Sequence, residues 1–173
     1  MVGWLWLAPF ILAFTPTAIF LYQRGTQSAF IEVHTLSHSF AQMMHCTSLM
    51  FRGVFDRFPN LKLGLLHGGG YIPYHLGRLD QGKIGASGSS AIPAKLPPSK
   101  YLKNLYFDNL VYRVETVEYL KRMVGADHIM VGTDYPFDLG DWRAAEKIQK
   151  MECTSAEREA MLHGNARRLL RIG

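Results

Sequence analysis

Two short apolar runs that stop abruptly constrain this chain more than anything else in it. Ile129, Met130 and Val131 have the length and β-branched content of a buried strand, and they give way to Gly132-Thr133-Asp134 before Tyr135-Pro136 ends regular pairing. Leu61, Leu63, Leu65 and Leu66 form a second run, closed by His67-Gly68-Gly69-Gly70. In parallel α/β folds the loops at the carboxyl ends of strands open into a crevice, and the strands beneath hold the side chains rigidly. Two strands of this kind deliver an imidazole, His67, and a carboxylate, Asp134, to one rim. Each residue also has a plainer role open to it: a lone Asp after a strand serves as a turn or N-cap residue, and a His before three glycines can hydrogen-bond a neighbouring loop.

Around these runs the pattern alternates between helix and strand. Residues 1–22 carry no charge and are just long enough to span a membrane, but Pro9 and Pro16 interrupt them and no basic segment precedes them. We read 17–22 as a buried strand behind an atypical apolar segment, with a membrane anchor as the alternative. Over 39–58, Phe40, Met43, Met44, Leu49, Met50, Phe51, Val54 and Phe55 recur at helical spacing, which predicts one long amphipathic helix ended near Pro59. His34 falls in a loop or at the helix start, while His38 and His45 sit on the helix as surface residues or, less simply, as a metal pair. A helix over 71–83 turns Leu76 and Leu79 inward. The Gly, Ser and Pro content of 84–100 predicts a flexible loop that would serve as a lid. Residues 105–111 form the next strand, carrying Asp108 and Asn109, and 114–124 its helix, closed by Gly125. Two or three helices come after the Asp134 strand, the last with Asn165 as N-cap and Ala166, Leu169 and Leu170 facing inward.

Five stretches carry a resemblance. Phe58-Pro59-Asn60-Leu61-Lys62-Leu63, His67-Gly68-Gly69-Gly70, Gly77-Arg78-Leu79-Asp80, Gly132-Thr133-Asp134-Tyr135-Pro136-Phe137 and Gly164-Asn165-Ala166-Arg167-Arg168-Leu169-Leu170 come in a characteristic order and spacing. They resemble the aminocarboxymuconate-semialdehyde decarboxylase-like branch of the amidohydrolase-related family, which holds metal-dependent hydrolases and decarboxylases. The resemblance runs over 37–172 and implies an α/β fold of the (β/α)8 TIM-barrel type. A whole barrel needs about 250 residues. The 173 residues here fit about four β/α units, the carboxyl-terminal half, as a single truncated domain over 1–173.

The resemblance also implies roles. Asp134 would bind a divalent metal, Zn or Mn, and accept a proton from its water; His67 would be the general acid/base; Arg78 would hold a substrate carboxylate across a subunit boundary, its planar fork meeting both oxygens. For Arg78 a surface ion pair with Asp80 or Asp56 is equally open. The chain departs from the family in two places: Tyr22 stands where a metal-binding His is expected, and no His-x-His pair occurs. The expected parent function is therefore a metal-dependent hydrolase or decarboxylase for a small carboxylated or amide-like substrate, with this chain incomplete by itself. It would self-associate or take a complementing half-barrel. The alternatives are a non-catalytic binding protein that keeps a degenerate half-barrel, or a membrane-anchored variant.

Charge narrows the partners. The net charge is +5 and the pI about 9.3, yet Lys and Arg are scattered rather than clustered among aromatics, which argues against a nucleic-acid partner. Arg167, Arg168 and Arg171 close the last helix, where cations favour its dipole. Cys46 and Cys153 have no ligand-like spacing and fit reduced thiols in a cytoplasmic setting. With the imidazole ligands missing, titration calorimetry of this chain with Zn²⁺ or Mn²⁺ should show only weak binding, and a single site tighter than about micromolar would contradict the assignment of Asp134 as an isolated ligand.

Overall fold

The computed structural model describes residues 27–85 and 89–172, with side chains from Ser37 onward. The expected strand at 17–22, the apolar segment before it and Tyr22 lie outside these residues. The chain divides into two units, Met1–Ala41 and Gln42–Gly173.

Helix α1 spans Gln27–Phe51, so it begins well before the predicted start at 39. His34 therefore lies inside the helix and not in a loop. Once a helix is nucleated each further residue adds a hydrogen bond at little entropic cost, and the β-branched look of Ile31 and Val33 does not stop it. The other end is a correction too. The helix stops at Phe51, because Gly53 takes φ +65° and donates its N–H to the Met50 carbonyl (3.0 Å), and a short helix α2 (Val54–Arg57) starts afresh. A side chain at Gly53 would also press the Pro93 carbonyl at 3.2 Å. Among the described residues no helix is long and apolar enough to cross a membrane.

From Gln42 onward the elements alternate: β1 (Leu63–Leu65), α3 (Ile72–Ile84), β2 (Leu105–Asp108), α4 (Val114–Val124), β3 (Ile129–Met130) and α5 (Ala144–Lys150). The strands form one parallel sheet in the order β1-β2-β3. Neighbours in sequence are neighbours in space, with no reversal of order, as in the wall of a (β/α) barrel. Three of the four expected units thus stand in the described residues. Register places Leu65 beside Phe107 and Phe107 beside Ile129, all three buried. The helices pack against this row with Ile72 from α3, Val117 and Leu120 from α4, and Ile148 from α5. Helix α4 and its closing Gly125 fall where the sequence places them.

The second half of the expected loop at 84–100 is tied down. Ala94 donates to the Phe51 carbonyl (3.1 Å), Lys95 N–H to Asp56 (2.8 Å), Leu96 N–H to the Tyr101 hydroxyl (3.1 Å) and Ser99 N–H to Asp80 (2.8 Å). Ala94 is buried, and a 3₁₀ turn comes next over Pro98–Asn104. A segment whose four backbone donors are taken in this way is held to α1, α2 and α3, and is not a free lid.

At the carboxyl end, α6 (Ser155–Glu159), a π-helical turn (Ala160–Gly164) and α7 (Asn165–Leu170) run on without a break, since Ala160 and Asn165 both keep helical angles. The cap is Thr154, which forms a capping box with Glu157. Asn165 is not the N-cap. It is fully buried, and its amide donates to the Ala126 and Ile129 carbonyls, both at 2.7 Å, tying the helix to β3. The π turn shifts the facing of α7, so Leu170 points to solvent at 64% exposure while Ala166 and Leu169 are half-buried. Arg168 adds a hydrogen bond to the Asp127 carbonyl (3.0 Å). Replacing Asn165 by Ala removes the side-chain donor to the Ile129 carbonyl and one of the two donors to the Ala126 carbonyl, which also accepts the Ile129 N–H, and should cost about 1–3 kcal/mol in chemical denaturation, against about 1 kcal/mol for Thr154→Ala at the exposed cap.

Candidate active site

Each strand ends in a loop whose backbone is forced into an unusual conformation. After β1, His67, Gly68, Gly69 and Gly70 all take positive φ, from 54° to 79°. The glycines are required by space as well as by angle: a Cβ on Gly68 would lie 2.5 Å from Val111 Cγ1, and one on Gly69 2.6 Å from the Phe107 ring. Ahead of this turn, Leu66 is fixed by Gln42, whose amide oxygen accepts the Leu66 N–H (2.8 Å) while its nitrogen donates to the Leu66 carbonyl (2.6 Å). His67 itself is half-buried.

At the end of β2 stand two polar residues, Asp108 within it and Asn109 just beyond, which the sequence placed on the strand without a role. Asp108 Oδ1 accepts the N–H of Gly68 (2.8 Å) and of Leu110 (3.1 Å). Burial pushes its carboxyl above the usual carboxylate range, while those two N–H groups pull the other way. Asn109 is fully buried; its side chain donates to the Ala144 carbonyl (2.7 Å) and accepts from Gly132 N–H (3.1 Å). A polar Asp-Asn pair within an otherwise apolar run was the signal available in the sequence. Tyr112, a little further on, has φ 63°.

After β3, Gly132 lies against Asp108, so closely that a Cβ there would stand 2.6 Å from Asp108 Cβ. Asp134, half-buried, takes φ 60°. Its carbonyl accepts from Phe137 N–H (2.8 Å), and the loop closes where Asp141 N–H meets the Thr133 carbonyl (2.9 Å). No helix begins at Asp134, so it is not an N-cap; it heads a tight turn. Two further contacts brace this loop: the Tyr112 hydroxyl donates to the Leu139 carbonyl (2.8 Å), and Asp141 pairs with Lys147 of α5. The Tyr112 phenol is pushed up by burial and then by the negative charge of Asp134, Asp141 and Asp108. Nothing in the sequence singled out Tyr112 or the Asp141–Lys147 pair.

His67, Tyr112 and Asp134, one beyond each strand, are non-glycine residues in left-handed backbone; Arg171 at the last helix end is another. Such conformations cost about 1–3 kcal/mol each and persist where surrounding contacts over-determine them, most often at functional sites. Arg78 lies on α3 and is exposed. Neither expected ion pair forms: Asp80 receives Ser99 N–H, Asp56 receives Lys95 N–H and the Tyr101 hydroxyl (2.7 Å), and no described carboxylate pairs with Arg78. His38 and His45 are exposed on α1. Cys46 is buried, its thiol pushed up to about 12 by that burial.

Among the residues whose side chains are described, no group of three or more His, Cys, Asp or Glu converges, so within them the donor set does not by itself fit a divalent metal and Asp134 would be a single ligand.

A parallel run of β/α units in sequential order, with polar residues at the strand carboxyl ends, is the arrangement found in the wall of a (β/α) barrel. The chain belongs to the amidohydrolase family, whose sequence model matches residues 29–172. It is 35% identical over 120 residues to the 2-amino-3-carboxymuconate-6-semialdehyde decarboxylase of Dictyostelium discoideum, covering 69% of this chain and 33% of that protein. To the gamma-resorcylate decarboxylase of a Polaromonas species it is 31% identical over 131 residues, covering 75% of this chain and 40% of that one. Among solved structures, the dihydroxybenzoic acid decarboxylase of Polaromonas with bound manganese and 2-nitroresorcinol superposes with a TM-score of 0.65 at 30% identity, over 75% of this chain and 40% of that one. The 5-carboxyvanillate decarboxylase of Sphingomonas paucimobilis gives 0.68 at 29% identity, over 75% and 39%. The chain thus spans well under half the length of these relatives.

Because Gly132 backs directly onto Asp108, Gly132→Ala should force the two strand ends apart and cost about 1–3 kcal/mol. Gly77→Ala, at an open helical position, should be neutral or slightly stabilising; equal losses for the two in thermal unfolding would contradict a steric role for the Gly132–Asp108 contact.

Proposed function

We propose that this chain supplies the proton-transfer half of a decarboxylase for a small carboxylated aromatic compound, working only when a complementary half-barrel is present. The observation that carries the reading is the pair His67 and Asp134, each locked in left-handed backbone at the carboxyl end of a parallel strand of one sheet. The names of the relatives favour decarboxylation over hydrolysis of an amide-like substrate. In such a reaction the bond between a ring carbon and its carboxylate breaks, the electron pair stays on carbon, carbon dioxide leaves, and a proton replaces it. His67 is the group suited to deliver that proton, since an imidazole exchanges protons readily near neutral pH. Arg78, exposed and with no carboxylate partner among the described residues, is suited to a substrate carboxylate. Asp134 is the ligand that the described residues would contribute to a divalent ion, Zn or Mn, held mainly from elsewhere. Self-association or a complementing half-barrel would pair the outer edges of β1 and β3, which end the sheet among the described residues.

The test is complementation. Co-expression with the amino-terminal half of a relative such as the Dictyostelium decarboxylase, with Tyr22→His in this chain, should release carbon dioxide from a carboxylated aromatic substrate. His67→Ala should then lower turnover about a hundredfold or more with metal content unchanged, Asp134→Ala should lower both, and Arg78→Ala should raise KM more than it lowers kcat. Turnover unaffected by His67→Ala and Asp134→Ala would remove the assignment.

A further inference from the structure

We infer that Asp108 is a positioning residue that sets the placement of His67 and of the Asp134 loop together. The inference rests on the reading of His67 and Asp134 given above, but its evidence is separate. Asp108 is the last residue of the middle strand, and it is 8% exposed. Toward β1, its Oδ1 takes the Gly68 N–H, in the middle of four successive positive-φ residues that begin with His67. Without an acceptor there, Gly68 N–H would be a buried donor with no partner, and glycines have the widest choice of other conformations. Toward β3, Asp108 Cβ and Oδ2 form the wall against which Gly132 rests, two residues before Asp134. The same Oδ1 also takes Leu110 N–H, which starts the chain toward Tyr112 and its bond to the Leu139 carbonyl. One carboxylate therefore touches all three strand-end loops.

A shorter side chain would lose the Gly68 and Leu110 bonds, whereas Asn would keep an oxygen at the same place. This separates acceptor geometry from mere charge. Asn109 beside it does the complementary task for β3 and α5 alone, and has no bond to the His67 turn.

The experiment uses the 173-residue chain and needs no activity. In the wild type, Gly68 and Leu110 amides should exchange with solvent at least about tenfold more slowly than exposed loop amides, and the His67 imidazole should give one set of NMR signals. Asp108→Ala should abolish that protection and split or broaden the His67 signals, while Asp108→Asn should restore both. Three results would overturn the inference: an unprotected Gly68 amide in the wild type, native His67 signals in Asp108→Ala, or an Asn variant as disordered at His67 as the Ala variant. If Asp108→Ala fails to fold, the wild-type exchange and the Asn variant still decide. Loss of turnover on complementation with intact His67 signals would count against the catalytic reading alone, so the two failures are distinguishable.

Discussion

The burial of β2 on both faces is the constraint on which the other features depend. All four of its residues are buried, and Phe107 sits at 0% exposure between Leu65 and Ile129 in register. A strand so enclosed can present polar groups only at its end, and there it presents two at once. Truncating an aromatic side chain in such a place costs about 3–5 kcal/mol. The same ring leaves no room for a Cβ at Gly69, so the packing of the strand and the shape of the His67 turn are one fact.

The strand end turns polar without leaving polar groups unsatisfied. Asp108 serves the turns after β1 and β2, and Asn109 serves the stretch after β3 and the start of α5. Each hydrogen bond of this sort contributes about 1 kcal/mol net, and more where an ionised group accepts it. Together they offset the cost of three left-handed non-glycine residues at one edge of the sheet. The outer loop is held more simply, by the Tyr112 hydroxyl and by the Asp141–Lys147 pair, which is mostly screened from solvent. Rigid strand ends and strained loops in this combination suit a site where groups must stay in place while a substrate enters.

The family and the run of β/α units were legible in the sequence, because apolar runs ending in His-Gly-Gly-Gly and Gly-Thr-Asp are local signals. So was α4 with its glycine stop. The misplaced details share a cause: they depended on distant partners. Asn165 looks like an N-cap because an Asn after a Gly has that local preference, but its amide goes to carbonyls 36 and 39 residues away. The loop over 84–100 looks free because Pro and Gly break regular structure, yet its later part gives its N–H groups to Asp56, Asp80 and the end of α1. Helix α1 breaks at Gly53, where a lone glycine leaves several conformations open until the Pro93 carbonyl closes in.

Residue types and their order therefore determined which chemistry is available: an imidazole and a carboxylate, each at the close of a buried strand, with an arginine on the helix between them in sequence. No His-x-His pair occurs among these 173 residues. Only the tertiary structure decided how those groups are held. Left-handed backbone at His67, Tyr112 and Asp134 is unfavourable locally, and no sequence pattern predicts it. It exists because three parallel strands end side by side and a single buried carboxylate, Asp108, lies within hydrogen-bond or contact distance of every loop that leaves them.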